Sequence, residues 1–509
     1  MSSTGAAAQG KTAGSQLVRA GAAAFAVVIA SWLVFLVASG RSGALNMVDL
    51  TVYRDGGLIV RHVTPYYDPA KKYPLYDWDG YGSQRLQFTY TPFAAIAFAL
   101  LSFIPTTPLD ALSVIGNIIC LPAALWFTFG ALGYRDRRVR LGVALLAAAA
   151  TFWLQPVVRT IYLGQINLIL MAAIMWDLTQ PDHTKNGKYR WWKGVATGVA
   201  AGIKLTPLIF VPYLLVARKW REAAGCVGGF LATVVVGFLV LPHDSSEWWL
   251  HGAVISDGNR TGFAGWAGDQ SLHGLLTRLT GSIAGAQTAW VLACVLAVIL
   301  GIGTAYLLDR AGYPVPAVLV TALTGLLVSP ISWDHHWVWI ALGIAVAAHY
   351  AIDAWRRGAR GVAGWLWAAV AGMIFIYYAW PDALFTHVKN LGNFSLGLLW
   401  LQKNTNPLLF QNYGDQPWYV EYHWHGFQLI WGNAYILGGM ALLLFLLAIA
   451  FRLRNATPPS GLSPQPSVPA AVQPADGGAA DAGAADEGAT TAAAAVRTGP
   501  GARPGPSDA

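Results

Sequence analysis

The chain of 509 residues is 55% hydrophobic and only 11% charged, with a mean hydropathy of +0.46. Soluble globular domains carry about 25% charged residues, so a soluble globular fold is excluded. The formal charge of +8 does not point to nucleic acid. Its basic residues lie largely between apolar runs, in "YRDRRVR" (134–140), "KNGKYRWWK" (185–193), "ARKWRE" (217–222), "RR" (356–357) and "FRLR" (451–454), the pattern of a positive-inside membrane topology.

A hydrocarbon core about 30 Å thick takes roughly 20 apolar residues per helix. Twelve stretches qualify as hydrophobic segments, at about 17–39, 88–104, 109–132, 140–155, 163–177, 194–217, 222–241, 284–308, 313–329, 335–352, 361–380 and 430–451. They predict an all-α polytopic membrane protein. The first run follows Lys11 and Arg19, is longer than a signal peptide's apolar region and lacks a small-residue cleavage site, so it is expected to stay as an anchor, with residues 1–16 cytoplasmic. The membrane domain is expected to occupy 17–455. Residues 456–509 are mostly Ala, Pro and Gly and are expected to be disordered, because they cannot bury enough apolar surface to offset their ordering entropy. Cys120, Cys226 and Cys294 each lie in an apolar run, which suits buried thiols and no disulfide framework. No internal repeat stands out, which weighs against a repeat-built transporter.

Three connections are long, polar and rich in Trp and Tyr: 40–87, 242–283 and 381–429. Counting from cytoplasmic termini puts all three on the outer face, where loops of that kind build a site. Twelve complete spans, however, would put "YRDRRVR" and "KNGKYRWWK" outside, against the charge rule. Partly re-entrant segments at 88–132 and 194–217 would remove the conflict, and "GIKLTP" in the second, with a lysine and a proline in mid-run, suits a broken helix.

Residues able to carry chemistry follow in chain order. Asp49, in "NMVDLTVYRDGG", lies just past the first span; it is either a helix N-cap or a functional carboxylate at the membrane surface. Tyr53 and Arg54 share that stretch. Tyr90 and Pro92 open an apolar run and suit an interfacial aromatic and a helix-starting proline. Arg159, Gln165 and Asn167 fall at the junction of two spans, where amides bond between helices or face a polar cavity. Lys204 lies about ten residues from either end of its run, where a lysine costs roughly 2.5–3.5 kcal/mol to insert. It is expected to face a cavity or an anion. Asp269, Gln270 and His273, in "DQSLHG", suit an interfacial loop helix or a site. Asp334, His335 and His336, in "SPISWDHHWVW", sit at the mouth of a span. Adjacent helical histidines point about 100° apart, and no i, i+4 pair is present, so a zinc site is not expected.

These parts describe a cavity with a carboxylate, a deep cation, amides and an Asp-His-His cluster. A lysine and histidines at membrane depth suit a lipid-linked phosphate. A carboxylate suits the base that deprotonates an acceptor hydroxyl. The chemistry that joins them is group transfer from a polyprenyl-phosphate donor.

The segments "VDLTVYRDGG", "QFTYTPFAAIAFALLSFIP", "YLGQINLIL", "AAGIKLTPLIF", "DQSLHG" and "SPISWDHHWVW" occur in this order. The set resembles the actinobacterial GT-C glycosyltransferases that use polyprenyl-phosphate-mannose, the α-(1→2)-mannosyltransferases of phosphatidylinositol mannoside and lipoglycan synthesis, over roughly 17–451. The resemblance implies a GT-C fold, Asp49 as catalytic base, Lys204, His335 and His336 near the donor phosphate, and substrate contacts from Tyr53, Arg54, Tyr90, Gln165, Asn167, Gln270 and Asp334. It implies an inverting transfer of β-linked mannose to a 2-hydroxyl of a mannosylated glycolipid, at the outer face of the plasma membrane among membrane lipids, with no cofactor, metal or nucleic acid. "FTYTP" departs from the pattern in having a threonine where a second proline is expected. Two alternatives stay open: an arabinofuranosyltransferase using a polyprenyl-phosphate-arabinose donor, and a lipid-linked sugar transporter.

Overall fold

The computed structural model describes residues 3–38, 45–63, 74–76, 87–184, 186–252, 264–381, 396–401 and 420–454. The tail from 456 onward and much of the three long connections lie outside these residues. Among the described residues the fold is helical, and the extended pairings are isolated bridges such as Asp269 with Trp333 and Leu154 with Tyr378.

In chain order, α1 runs Ser3–Ala38, α2 Val48–Val60, α3 Pro92–Phe98, α4 Thr106–Ala131, α5 Arg137–Thr151, α6 Gln155–Leu163 and α7 Asn167–Leu178. They are followed by α8 Val195–Ile203, α9 Phe210–Val216, α10 Trp220–Val240, α11 Pro242–Leu250, α12 Leu272–Thr280, α13 Ile283–Arg310 and α14 Pro314–Val328. The last four are α15 Trp339–Arg356, α16 Arg360–Tyr377, α17 Phe427–Gly432 and α18 Ala434–Arg454. Among the described residues seven helices are long and apolar enough to cross a membrane, with Asp334–Arg356 counted as one, and eight if the bent pair α6–α7 is one span. The twelve hydrophobic stretches therefore do not become twelve full spans. Hydrophobicity measures how apolar a run is, not whether it stays straight. Pro92–Phe103, Thr206–Val216 and Pro314–Val328 are apolar but short, and α6 and α7 meet at 115°.

Local chemistry explains the breaks. Thr91 caps α3 by accepting from the Ala94 N–H, with Pro92 in the first turn, so this proline starts a helix as expected. Asp136 caps α5 by accepting from the Arg138 and Val139 N–H groups at 2.8 and 2.9 Å. Gly164, at φ 71°, ends α6 and turns the chain into α7. At Lys204 the backbone is extended (φ −137°, ψ 122°), and a 3₁₀ turn, Thr206–Ile209, leads into α9. "GIKLTP" is thus a broken helix. The glycines of α8 let it lie against α10: a Cβ on Gly198 would collide with the Cys226 carbonyl and one on Gly194 with that of Glu222. The Thr91 hydroxyl donates to the Gly202 carbonyl and ties α3 to the end of α8.

Contacts bring the basic connections together. Tyr134 Oη pairs with His349 Nδ1 at 3.1 Å, Lys219 Nζ with Asp309 Oδ1 at 2.6 Å, and Lys193 Nζ lies 3.6 Å from Glu222 Oε1. Arg221 lies over the ring of Tyr189 at 4.6 Å. Segments 134–140, 185–193 and 217–222 therefore join the ends of α13 and α15 at one end of the bundle. The pair α8–α9 enters and leaves at that basic end, with Lys204 at its tip, as a re-entrant hairpin does. Asp177, fully buried, holds the hairpin's entry by accepting from the Gly194 and Thr197 N–H groups at 2.9 and 2.8 Å.

Candidate active site

At the tip of the hairpin, Lys204 Nζ donates to Asn167 Oδ1 at 3.0 Å and meets His336 Nε2 at 2.8 Å. An ammonium has only donors, so His336 accepts there and is neutral while Lys204 is charged. One Lys204 N–H remains after these two bonds. Lys204, Asn167 and His336 line one side of a cavity whose remaining wall is mostly apolar, including Leu170, Ile174 and Phe210; its unfilled space, open mouth included, is about 520 Å³. The expectation that Lys204 faces a cavity is met.

The two histidines sit in a 3₁₀ turn, Asp334–Val338, and bond to different partners. Their rings lie 4.7 Å apart at 89°. His336 goes to Lys204, while His335 Nδ1 lies 3.2 Å from Asp334 Oδ1. Asn167 Nδ2 and Thr160 Oγ1 both donate to the His335 carbonyl, at 2.9 and 3.1 Å. These bonds pin the "DHH" backbone against α6 and α7.

Asp49 approaches from the other side. It is in the first turn of α2, whose N-cap is Met47 in the left-handed region at φ 51°, so Asp49 is not the cap. Burial raises its carboxyl above the ordinary value of 3.8, opposed by the nearby His335, by a hydrogen bond from Gln165, and by Lys204 and Arg159. Tyr53 determines how Gln165 presents itself. The Tyr53 hydroxyl donates to Gln165 Oε1 at 2.7 Å, which leaves the amide N–H groups for Asp49, and it also meets Tyr90 Oη at 2.9 Å. The Tyr53 ring stacks on Phe98 at 4.5 Å. Asp49, Tyr53, Tyr90, Gln165, Asn167, Lys204, His335 and His336 thus form one cluster drawn from five parts of the chain.

Three expected substrate contacts are placed differently. Arg54, one residue on from Tyr53 and so about 100° round the helix, donates to the Ile104 carbonyl at 3.3 Å. Gln270 is fully buried, and both ends of its amide go to backbone: Nε2 to the Ala267 and Gly432 carbonyls, Oε1 to the Tyr435 and Ile436 N–H groups. Asp334, 2% exposed, is enclosed by Gln155 Nε2 at 2.6 Å, its neighbour's N–H at 2.8 Å and Arg159 Nε at 3.7 Å. The polar atoms of Gln270 and Asp334 are taken up in this way.

The rest of "DQSLHG" is also a joint. Asp269 accepts from the Ser332 and Ser271 N–H groups at 2.8 and 3.1 Å, and burial pushes its carboxyl up to about 6. His273 stacks on Trp290 at 4.4 Å. Arg278 grips Asn433 Oδ1 through Nε and Nη2, at 2.9 and 2.6 Å. Gln155 and Tyr435 were not foreseen as part of the cluster, and Arg159 was noted only at a junction. A signal existed for two of them: Gln155 and Arg159 are four apart on a wholly buried helix, so they share a face. Tyr435, at the head of an apolar span, gave none. Among the described residues no three His, Cys, Asp or Glu side chains converge to hold a metal ion.

A cation beside an apolar cavity and a carboxylate held among donors is the arrangement that the six sequence segments led us to expect. The profile of glycosyltransferase family 87 matches residues 88–330. A polyprenol-phosphate-mannose-dependent alpha-(1-2)-phosphatidylinositol pentamannoside mannosyltransferase from Mycolicibacterium smegmatis is 30% identical over 415 residues, covering 80% of this chain and 87% of the relative. The chain belongs to glycosyltransferase family 87. A protein of the same name from Mycobacterium tuberculosis is 31% identical over 398 residues, 78% of this chain and 81% of its own. A phosphatidylinositol mannoside mannosyltransferase from Mycobacterium tuberculosis is 32% identical over 313 residues, 60% of this chain and 70% of its own. No solved structure matches the chain significantly. The family 87 match runs from Phe88 through the Lys204 hairpin to Pro330, while Asp49 and the "DHH" segment flank it.

Proposed function

We propose that this family 87 glycosyltransferase moves mannose from polyprenyl-phosphate-mannose to a 2-hydroxyl of a mannosylated glycolipid, a phosphatidylinositol mannoside or lipoglycan, with inversion to an α-(1→2) product. The observation that carries this is the Lys204 site. A cation in a break of an apolar hairpin, bonded to His336 and Asn167, borders a largely apolar cavity and lies within electrostatic reach of Asp49. An anion on an apolar chain matches both halves of that site. The relatives' names give the same donor class.

In the mechanism, Asp49 takes the proton of the acceptor hydroxyl. The oxygen attacks the anomeric carbon from the face opposite the carrier, and the bond from that carbon to the phosphate oxygen breaks with its electron pair going to the phosphate. Lys204 and His335 meet the charge that develops there, with His336 fixing the lysine. Tyr53, Tyr90, Gln165 and Asn167 are the substrate-facing polar groups. Arg54, Gln270 and Asp334 support that surface from behind. The catalytic unit is 17–455. The clustering of basic residues in the connections at the other end of the Lys204 hairpin supports, by the positive-inside rule, a site that opens to the outer face of the plasma membrane.

The test is transfer from radiolabelled polyprenyl-phosphate-mannose to a phosphatidylinositol mannoside, by purified wild type and by Asp49→Asn. Transfer by wild type and its loss in a folded Asp49→Asn is the expected result. Transfer retained in the variant moves the base elsewhere. If wild type uses a polyprenyl-phosphate-arabinose donor and not the mannosyl one, the sugar assignment is wrong.

A further inference from the structure

The transfer scheme uses the front of the cluster and leaves a line of buried side chains behind His335 unexplained. Tyr435, at the start of α18, donates its hydroxyl to Gln155 Oε1 at 2.9 Å. Gln155 Nε2 donates to Asp334 Oδ2 at 2.6 Å. The other oxygen of Asp334 accepts from the His335 N–H at 2.8 Å and faces the ring Nδ1 at 3.2 Å. Tyr435 and Gln155 are at most 1% exposed, and His335 is 5% exposed.

Each link restricts the next. Gln270 holds the Tyr435 N–H at 3.1 Å, and the Tyr435 ring lies 4.3 Å from that of Tyr377, so the hydroxyl has one place to go. The Asp334 carboxylate, which only accepts, turns the Gln155 N–H toward itself, and the Tyr435 hydroxyl holds the amide there by donating to the oxygen left over. Reversed, the amide would set its carbonyl oxygen against a carboxylate. Held in this sense, Gln155 fixes the Asp334 carboxylate in the plane that accepts from His335 Nδ1. A carboxylate only accepts, so Nδ1 carries the proton. His335 Nε2 is then the reactive nitrogen. It is buried, has no hydrogen-bond partner among the described residues, and belongs to a ring within electrostatic reach of Asp49 and Lys204. An unpartnered buried ring nitrogen is costly unless a ligand completes it.

We propose that Tyr435 and Gln155 are positioning residues for the transfer, acting through Asp334 to aim His335 Nε2 at the reaction centre. The inference rests on the transferase reading above. The C-terminal span therefore contributes to the geometry of a site whose other members all come from earlier in the chain. In the complex with the anionic donor, His335 protonated at both ring nitrogens keeps Nδ1–H on Asp334 and donates Nε2–H to the carrier phosphate as the bond to the anomeric carbon breaks. Supports of this kind behind a working imidazole typically cost about 10–100-fold when removed.

The test is a double-mutant cycle on the full-length protein in detergent, with kcat, both KM values and the thermal unfolding midpoint measured for each form. Tyr435→Phe keeps the ring on Tyr377 and removes only the hydroxyl. Expected is a loss of about tenfold in kcat for Tyr435→Phe and about 100-fold for Gln155→Leu, with KM for donor and acceptor within about twofold of wild type. The double variant is expected to be no slower than Gln155→Leu, because the hydroxyl acts only through the amide. Additive losses, unchanged kcat in Tyr435→Phe, or losses that follow the fall in unfolding midpoint would overturn the proposal. The cycle is run on whichever lipid-linked donor wild type turns over. Use of the arabinosyl donor alone refutes the sugar assignment and leaves the cycle decisive. Wild type inert with both donors removes the transferase reading and this inference with it.

Discussion

Lys204 and His336, 132 residues apart, meet at 2.8 Å between Nζ and Nε2 where α8 breaks. While Lys204 is charged it donates and the imidazole accepts, so the pair then carries one positive charge. Two cations this close would repel, and neither would be steady enough to receive a phosphate.

Lys204→Met should keep the length of the side chain and lose the charge. Removing one preorganised group that stabilises developing charge typically costs 10²–10³-fold in kcat, about 2.7–4 kcal/mol. Steady-state transfer at saturating acceptor measures this. Wild-type kcat in a folded Lys204→Met would remove the lysine from the phosphate site.

The pH dependence of transfer follows from Asp49. Burial raises its carboxyl above 3.8. A base works only when ionised, so activity is present above its folded pKa and lost as pH falls through it. The acid limb of kcat/KM should therefore lie above pH 3.8, and Asp49→Glu should shift the limb while Asp49→Asn abolishes turnover. A limb at or below 3.8 would mean that another group takes the proton.

Stability is linked to pH at Asp269, whose folded pKa is pushed up to about 6 by burial. In the unfolded chain it titrates near 3.9. Between these values the folded state holds a proton that the unfolded state has released, so stability is present below about pH 4 and lost as pH rises through 6. The span corresponds to roughly 3 kcal/mol. The unfolding midpoint of wild type minus that of Asp269→Asn should be larger at pH 4.5 than at pH 7. The opposite trend would show that hydrogen bonds from Ser332 and Ser271 outweigh burial.

Gly164 offers a test of backbone geometry beside the base. Its φ is 71°, and an added Cβ would press on the Leu50 side chain and Met47 Sδ, residues flanking Asp49. Gly164→Ala should cost about 1–3 kcal/mol and lower kcat by moving α2. Gly116→Ala, mid-helix in α4 with open space around the site, should be neutral or stabilising. Equal effects at both positions would contradict the packing described.

Much was legible in the sequence. Low charge and long apolar runs specify a membrane bundle because water and hydrocarbon select composition directly. Lys204 was legible as needing partners because a mid-run lysine must find them, and the break at "GIKLTP" because an interior proline interrupts helical bonding.

Tertiary structure decided the rest. Composition cannot report the 115° turn between α6 and α7. Nor can it show that Gln270 and Asp334 are used up by backbone and buried partners, since a polar side chain looks the same in sequence whether it faces a ligand or a carbonyl. The link from Tyr435 to Gln155 joins positions 280 apart with no local signature. Burial in a membrane is specified residue by residue, through the transfer of each side chain out of water. Which polar groups face one another is specified only by the packing of helices, which no short stretch of sequence contains.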